Sequence, residues 1–131
     1  MNDRYLFRGK RIDNREMVIG DLSIHNDENK HMIYPHNDPY MDGVDVIPES
    51  IGQCTGFKDK NGKLIFEGDI LQDCDDGCYE ILWNDKKLWW SVCYSKNQNI
   101  IPALSDVICS GIFYEEIIGN IHDNPELLKE V

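Results

Sequence analysis

Acidic side chains that directly follow a glycine recur along this chain, and two carboxylates brought together can act as general acid and base. The steps are Gly20-Asp21 and Gly68-Asp69, and Gly119-Asn120 repeats them with an amide in place of the acid. Glycine permits a bend or a bulge, and Asp or Asn can bond to the neighbouring backbone. We therefore interpret all three steps as structural corners of a small β-barrel, with paired catalytic carboxylates at Asp21 and Asp69 as the alternative.

Cysteine spacing does not predict a metal centre. Cys74 and Cys78 form one loose C-x-x-x-C pair, whereas structural zinc sites use two tight ligand pairs. Cys54, Cys93 and Cys109 stand in apolar contexts, where a free thiol behaves as a small hydrophobe. The total of five is odd, and the opening residues contain no apolar signal-peptide core. We expect reduced thiols in a cytoplasm, no bound metal and no cofactor.

Two other acidic stretches resemble metal sites only in composition. The segment that begins at Asp73 has Cys78 and Asn84 where a calcium loop requires Gly and Glu. The second stretch interleaves histidines with acids: His25, Asp27, His31, His36, Asp38 and Asp42. Its spacing differs from that of helical zinc motifs, so we interpret it as a solvated loop rather than a metal site or a pH-sensitive loop. Sequence motifs of nucleotide-binding loops and nucleophile elbows are absent.

Composition limits the classes of protein to consider. The chain has 131 residues, enough for one domain or two small lobes, and its 41% hydrophobic content argues against disorder throughout. The formal net charge of −11 disfavours direct binding to nucleic-acid phosphates, which requires clustered Lys and Arg. No segment approaches the roughly 20 apolar residues of a membrane helix. We expect neither a nucleic acid nor a membrane as direct partner.

Short apolar segments separated by Gly, Asn and Asp predict strands in the first half of the chain. The strand candidates are Tyr5–Phe7, Met17–Ile19 and Val44–Ile47. The first two flank a polar connection at 11–15 and form a predicted hairpin. Residues 25–42 are rich in His, Asn, Asp and Pro and predict an exposed excursion with one edge strand at 32–34. Residues 48–52 have the pattern of a single helical turn.

The second half is more regular. Its strand candidates are Lys63–Phe66, Asp69–Gln72, Tyr79–Trp83, Leu88–Tyr94, Val107–Cys109 and Glu116–Ile121. The third and fourth of these are expected to pair across the polar turn Asn84–Lys87. Asn124, Pro125 and Glu126 suit successive positions at the start of a helix, so a short C-terminal helix is predicted.

Aromatic residues of the predicted hairpin are the best candidates for a binding surface. Trp89 and Trp90 are adjacent, so in a strand their side chains must point to opposite faces. Tryptophan and tyrosine are enriched at protein interfaces. We assign a candidate interaction surface to Trp83, Trp89, Trp90 and Tyr94, with packing in a core as the alternative.

Several sequence blocks follow one another in a specific order. They are Tyr5–Lys10, Gly20–Leu22, Val46–Gln53, Thr55-Gly56, Asp59–Gly62, Ile65–Ile70, Ile118–Ile121 and Asn124–Leu128. This ordered set resembles the YopX family of phage and prophage proteins and spans almost the whole chain. The resemblance implies a mainly β fold with SH3-like barrel character. It implies no established reaction and no catalytic residue.

The predicted fold is mainly β: a small SH3-like barrel at 48–131 with additional N-terminal strands and a loop at 1–47, and a short C-terminal helix. It forms a single YopX-like unit or two lobes. We expect a non-enzymatic protein–protein interaction module of the bacterial cytoplasm, encoded by phage or prophage, that binds an unidentified protein or self-assembles. The alternatives are an acidic decoy for a host DNA-binding protein and, less favoured, a small hydrolase with a pocket lined by Asp, His or Cys.

Overall fold

The chain consists of two compact units, and the boundary between them lies between Cys54 and Thr55. The computed structural model describes residues 3–35, 42–73, 77–86, 88–94, 100–103 and 115–128. In these ranges the chain is built from strands and tight turns, and the helical elements are 3-10 turns of three or four residues. The prediction of a mainly β protein is confirmed. None of the described helices is long and apolar enough to cross a membrane.

The first unit contains an antiparallel sheet with the order β4-β3-β2-β1, and the start of β5 pairs with β1. The strands are β1 (Phe7–Lys10), β2 (Met17–His25), β3 (Lys30–Pro35), β4 (Val44–Asp45) and β5 (Gly52–Lys58), the last of which continues into the second unit. The predicted hairpin is present as β1 and β2. The strand predicted at 32–34 is present as part of β3, but its predicted position at a sheet edge is wrong, because β3 is paired on both sides, with β2 and with β4. Residues 36–41 of the predicted excursion lie outside the described ranges.

Small residues allow the first unit to pack tightly. Ile33, Val46 and Cys54 are fully buried. Gly9 lies against this core, since a Cβ atom there would be 3.0 Å from Cδ1 of Ile33 and 3.1 Å from Cβ of Val46. The Ser50 hydroxyl, in the 3-10 turn Pro48–Ser50, accepts a hydrogen bond from a β1 amide. This turn matches the predicted single helical turn.

The second unit carries a five-stranded antiparallel sheet with the order β10-β9-β8-β7-β11, while β6 lies beside β5. The strands are β6 (Leu64–Phe66), β7 (Asp69–Asp73), β8 (Gly77–Asn84), β9 (Trp89–Tyr94), β10 (Ile100–Ala103) and β11 (Glu116–Asn120). A cluster of four buried side chains forms its core: Ile65, Leu71, Tyr79 and Ile81. Phe57, Trp90 and Ile117 pack against this cluster.

Two predicted features of the second unit differ from the structure. The SH3-like barrel is not confirmed, because the five-stranded sheet is open in the described residues, with β10 and β11 at its edges. The prediction of a C-terminal helix is wrong. Residues Pro125–Leu128 form one 3-10 turn, closed by a 3.1 Å hydrogen bond from the Leu127 amide to the Asn124 carbonyl. A single turn fixes several dihedral angles for few hydrogen bonds, so a longer helix is not nucleated by start signals alone. The strand predicted at 107–109 lies outside the described part of the chain.

Candidate functional site

The β8–β9 hairpin brings two of the predicted interface residues together. Trp83 and Trp90 are directly opposite each other in the register, on the face that also carries Tyr79 and Ile81. Their ring centroids are 5.1 Å apart and their planes are inclined by 73°, an edge-to-face arrangement. Trp90 packs against the buried core, whereas Trp83 is 38% exposed. The pair therefore extends the core to the surface and holds an exposed indole in a fixed orientation.

The other two predicted interface residues are placed only through their backbones. Trp89 begins β9 opposite Asn84, and Tyr94 ends it opposite Tyr79. The side chains of Trp89 and Tyr94 lie outside the part of the structure that can be described. The aromatic surface is therefore defined here by Trp83 and Trp90.

Leu88 is an exposed apolar residue that the sequence pattern placed in a strand. Its apolar side chain predicted the start of a strand, but it lies in the loop that joins β8 to β9, with φ of 60° and 72% of its surface exposed. A leucine in the left-handed region costs about 1–2 kcal/mol, whereas glycine adopts this conformation freely. A large apolar side chain is thus exposed where the backbone favours glycine. We call Trp83, Asp85, Lys86 and Leu88 the hairpin tip; all four side chains are exposed.

The Gly68-Asp69 step forms a turn between β6 and β7. Gly68 has φ of 92°, and its amide and carbonyl bond to the Ile81 carbonyl and the Ile121 amide, at 2.8 and 2.9 Å. The Asp69 carboxylate is buried, and Oδ2 accepts a 2.8 Å hydrogen bond from the Phe66 amide. This carboxylate is held by the backbone of its own turn.

The Gly119-Asn120 step lies beside that turn. Asn120 is opposite Asp69 in the pairing of β11 with β7, and the register shifts between Ile117 and Gly119. The Asn120 side-chain oxygen accepts 2.9 Å hydrogen bonds from the amides of residues 122 and 123. Two of the three repeated steps are therefore neighbours, and each side chain holds a local backbone turn.

The Gly20-Asp21 step has a different structure. It lies inside the continuous strand β2, where Gly20 is opposite Phe7 on one side and Pro35 on the other. A Cβ atom on Gly20 would overlap the carbonyl oxygen of Tyr34. Asp21 is exposed and lies in the first unit, whereas Asp69 is buried and lies in the second.

Asp59 organises the second unit and was not singled out as a site from the sequence. It is 1% exposed, and its carboxylate accepts three backbone hydrogen bonds. Oδ1 accepts from the amides of Asn61 and Lys63, both at 2.9 Å, and Oδ2 accepts from the amide of Ile117 at 3.1 Å. Asp59 thereby fastens its own turn to β11. The signal was present as Asp-x-Asn-Gly, the pattern of a turn held by an aspartate side chain.

Acidic and histidine side chains elsewhere do not assemble a metal centre in the described residues. On β8, burial and the charge of Glu67 raise the pKa of Glu80. His25 lies 3.1 Å from the Ser23 hydroxyl and lines an open depression formed by residues 24–28. His31 lies on β3, and its Nδ1 atom is buried without a hydrogen-bond partner. His36 lies outside the described residues.

Comparison with known proteins assigns the family. The family model described as YopX protein matches residues 6–129. The chain belongs to the YopX family. No curated protein matches it. Among solved structures, it is similar to the crystal structure of protein EF1440 from Enterococcus faecalis, with 27% identity, a TM-score of 0.53, and coverage of 94% of this chain and 96% of that chain.

The sequence blocks that resemble the YopX family contain the turns described above. Asp59, the Gly68-Asp69 turn and the Gly119-Asn120 turn all fall inside these blocks. The hairpin tip lies between the blocks that end at Ile70 and begin at Ile118. The family blocks of the second unit therefore supply turns that hold strands together, whereas the exposed apolar residues of the hairpin lie outside them.

Proposed function

We propose that this YopX-family chain is a non-enzymatic protein–protein interaction module of phage or prophage origin, which acts in the bacterial cytoplasm through the hairpin tip. The observation that carries the proposal is the Trp83–Trp90 pair, because it holds an exposed indole against a packed core. A side chain that is fixed before binding loses little conformational entropy in a complex. Tryptophan is also among the residues that contribute most to binding energy at interfaces.

The hydrogen bonds of the two buried carboxylates support a role in binding rather than catalysis. Asp59 and Asp69 are each 1% exposed and accept hydrogen bonds from backbone amides, so these carboxylates stabilise turns and are not open to a substrate. We further propose that the second unit is an open variant of the SH3-like barrel, in which the Gly68-Asp69 turn directs the chain from β6 into β7.

The proposal is tested by affinity capture with three forms of the full chain. Wild type, Trp83→Ala and Ile12→Ala are immobilised and exposed to extract from prophage-induced bacterial cells. Ile12 is a suitable control because it is an exposed apolar residue of the first unit. We expect a protein that wild type and Ile12→Ala retain and that Trp83→Ala loses. Circular dichroism checks that Trp83→Ala remains folded.

Two results would contradict this function. Capture of the same proteins by all three forms would remove the hairpin tip from the mechanism. Capture of a DNA-binding protein that survives Trp83→Ala but decreases steeply with ionic strength would favour the acidic decoy, since exposed charges are screened by salt.

A further inference from the structure

We infer that the Asp59 carboxylate protects the outer edge of β11, and that without it β11 pairs with β11 of a second copy of the chain. In the described residues, β11 is the last strand of its sheet, in the order β10-β9-β8-β7-β11. An exposed edge of this kind presents unpaired amides and carbonyls and can pair with another chain. β7 lies between this edge and the β8–β9 hairpin, so the inference does not depend on the proposed function.

The turn at 59–62 occupies the outer side of β11 with backbone and side-chain hydrogen bonds. The Ile117 amide donates to Oδ2 of Asp59 at 3.1 Å, and the Lys60 amide donates to the Glu115 carbonyl at 3.1 Å. Residues two apart in an extended chain direct their backbone groups to the same side, so an added strand would use these same two groups. The turn therefore takes the place of a neighbouring strand.

One side chain both shapes this turn and binds it to the edge. Asp59 is 1% exposed, and its Oδ1 accepts hydrogen bonds from the amides of Asn61 and Lys63, both at 2.9 Å. Asn61 adds an exposed contact, 3.2 Å from its Nδ2 to Oε2 of Glu116, and exposed polar contacts contribute little to stability. Loss of the Asp59 carboxylate would therefore release the turn and open both backbone groups of the edge.

The other end strands of the two sheets are protected by different means. β10 contains Pro102, which has no amide hydrogen, and its pairing with β9 shifts register between Ile101 and Ala103. Proline and bulges both disfavour pairing at an edge. β4 and β6 have only two and three residues. β11 has five residues and no proline, and the Asp59 turn covers the part that pairs regularly with β7, Glu116 and Ile117.

The covered groups of β11 are complementary between two copies. In an antiparallel contact centred on Glu116, the Ile117 amide of each copy would face the Glu115 carbonyl of the other. That register also places the two Glu116 side chains opposite each other, and like charges in this position weaken pairing. Glu116 is therefore a second, weaker protection of the same edge.

Sedimentation velocity of the purified full chain over a wide range of concentrations tests the inference. Gly62→Ala is the matched control, because alanine at φ of 82° strains the same turn but leaves the Asp59 carboxylate in place. We expect Asp59→Ala to associate at concentrations at which wild type and Gly62→Ala do not. Adding Glu116→Gln to Asp59→Ala should lower the dissociation constant further, by about two- to fivefold.

Amide hydrogen exchange identifies the edge that associates. In dilute Asp59→Ala, the Ile117 amide should exchange about tenfold or more faster than in wild type, because its charged acceptor is gone. Its protection should return at concentrations at which the variant associates, whereas in wild type it should not depend on concentration. A purely structural role of Asp59 would give faster exchange without this dependence on concentration.

A milder substitution covers the case in which Asp59→Ala does not fold, as judged by circular dichroism. In Asp59→Asn, the amide oxygen can still accept from the two amides of the turn, whereas the NH2 group cannot accept from Ile117. A folded Asp59 variant that stays monomeric with and without Glu116→Gln would overturn the inference. So would a Gly62→Ala variant that associates equally, or association that leaves the Ile117 amide unprotected.

Discussion

The two Gly-Asp steps of this chain have the same residues but meet different physical requirements. Gly20 lies in a continuous strand, where the backbone of Tyr34 occupies the position that a side chain would need. Gly68 lies in a turn with φ of 92°, and the nearest atom to a Cβ there would be 3.4 Å away. The first glycine is required by space and the second by backbone conformation. A repeated dipeptide is thus evidence of a repeated composition, not of a repeated structure.

The aspartates differ in the same way. Asp69 is 1% exposed and accepts a hydrogen bond from the Phe66 amide, which closes the turn. Asp21 is exposed on β2, opposite Tyr34. Burial makes the loss of a hydrogen-bond acceptor costly, because the donor then loses both protein and water as partners. The comparison therefore ranks the effects of substitutions at the two steps.

Gly20→Ala is expected to have the largest effect. The methyl group would overlap the Tyr34 carbonyl oxygen, so β2 and β3 would have to separate, at a cost of about 3 kcal/mol or more of unfolding free energy. Hydrogen exchange of the β2 and β3 amides is the suitable measurement, because all three tryptophans lie in the second unit and do not report on the first.

Gly68→Ala is the matched substitution at the second step. It meets no close atom but must adopt a left-handed backbone, which costs about 1–2 kcal/mol. Faster exchange of the β6 and β7 amides would report this loss. Equal destabilisation by the two alanines would contradict the distinction between a glycine required by space and one required by conformation.

Asp69→Ala is expected to reduce the free energy of unfolding by about 2–3 kcal/mol, since it leaves a buried amide without its charged acceptor. Asp21→Ala, on the exposed face of β2, should change it by less than about 1 kcal/mol, because an exposed interaction contributes little to stability. Urea unfolding followed by circular dichroism measures both. A comparable loss of unfolding free energy in Asp21→Ala would show that the exposed Gly20-Asp21 step also stabilises the fold.

Local patterns predicted paired strands well and tertiary requirements poorly. Alternating apolar residues correctly predicted β8 and β9, and polar residues predicted the connection between them. The pattern assigned Leu88 to a strand, because apolarity is the strand signal and φ is not visible in a residue name. It likewise could not distinguish Gly20 from Gly68, since the close approach of Tyr34 depends on a strand pairing distant in sequence. Trp83 was assigned to an interaction surface from its residue type alone, and that role stays a prediction; its contact with Trp90 depends on the strand register.

The residues that precede the two Gly-Asp steps also differ: Glu67 precedes Gly68, whereas Ile19 precedes Gly20. The charge of Glu67 is expected to have the smallest effect of those considered. Burial and the Glu67 charge raise the pKa of Glu80 above its usual value of 4.5, so the folded chain binds this proton more tightly than the unfolded chain. Stability should therefore decrease as the pH rises from about 4.5 through the folded pKa. Glu67→Gln should lower the pKa of Glu80 without returning it to 4.5, because burial is the larger cause. Carboxyl-carbon NMR titration measures this shift, with Asp21→Asn as the control at the other step; an unchanged Glu80 titration in Glu67→Gln would mean that burial alone sets its pKa.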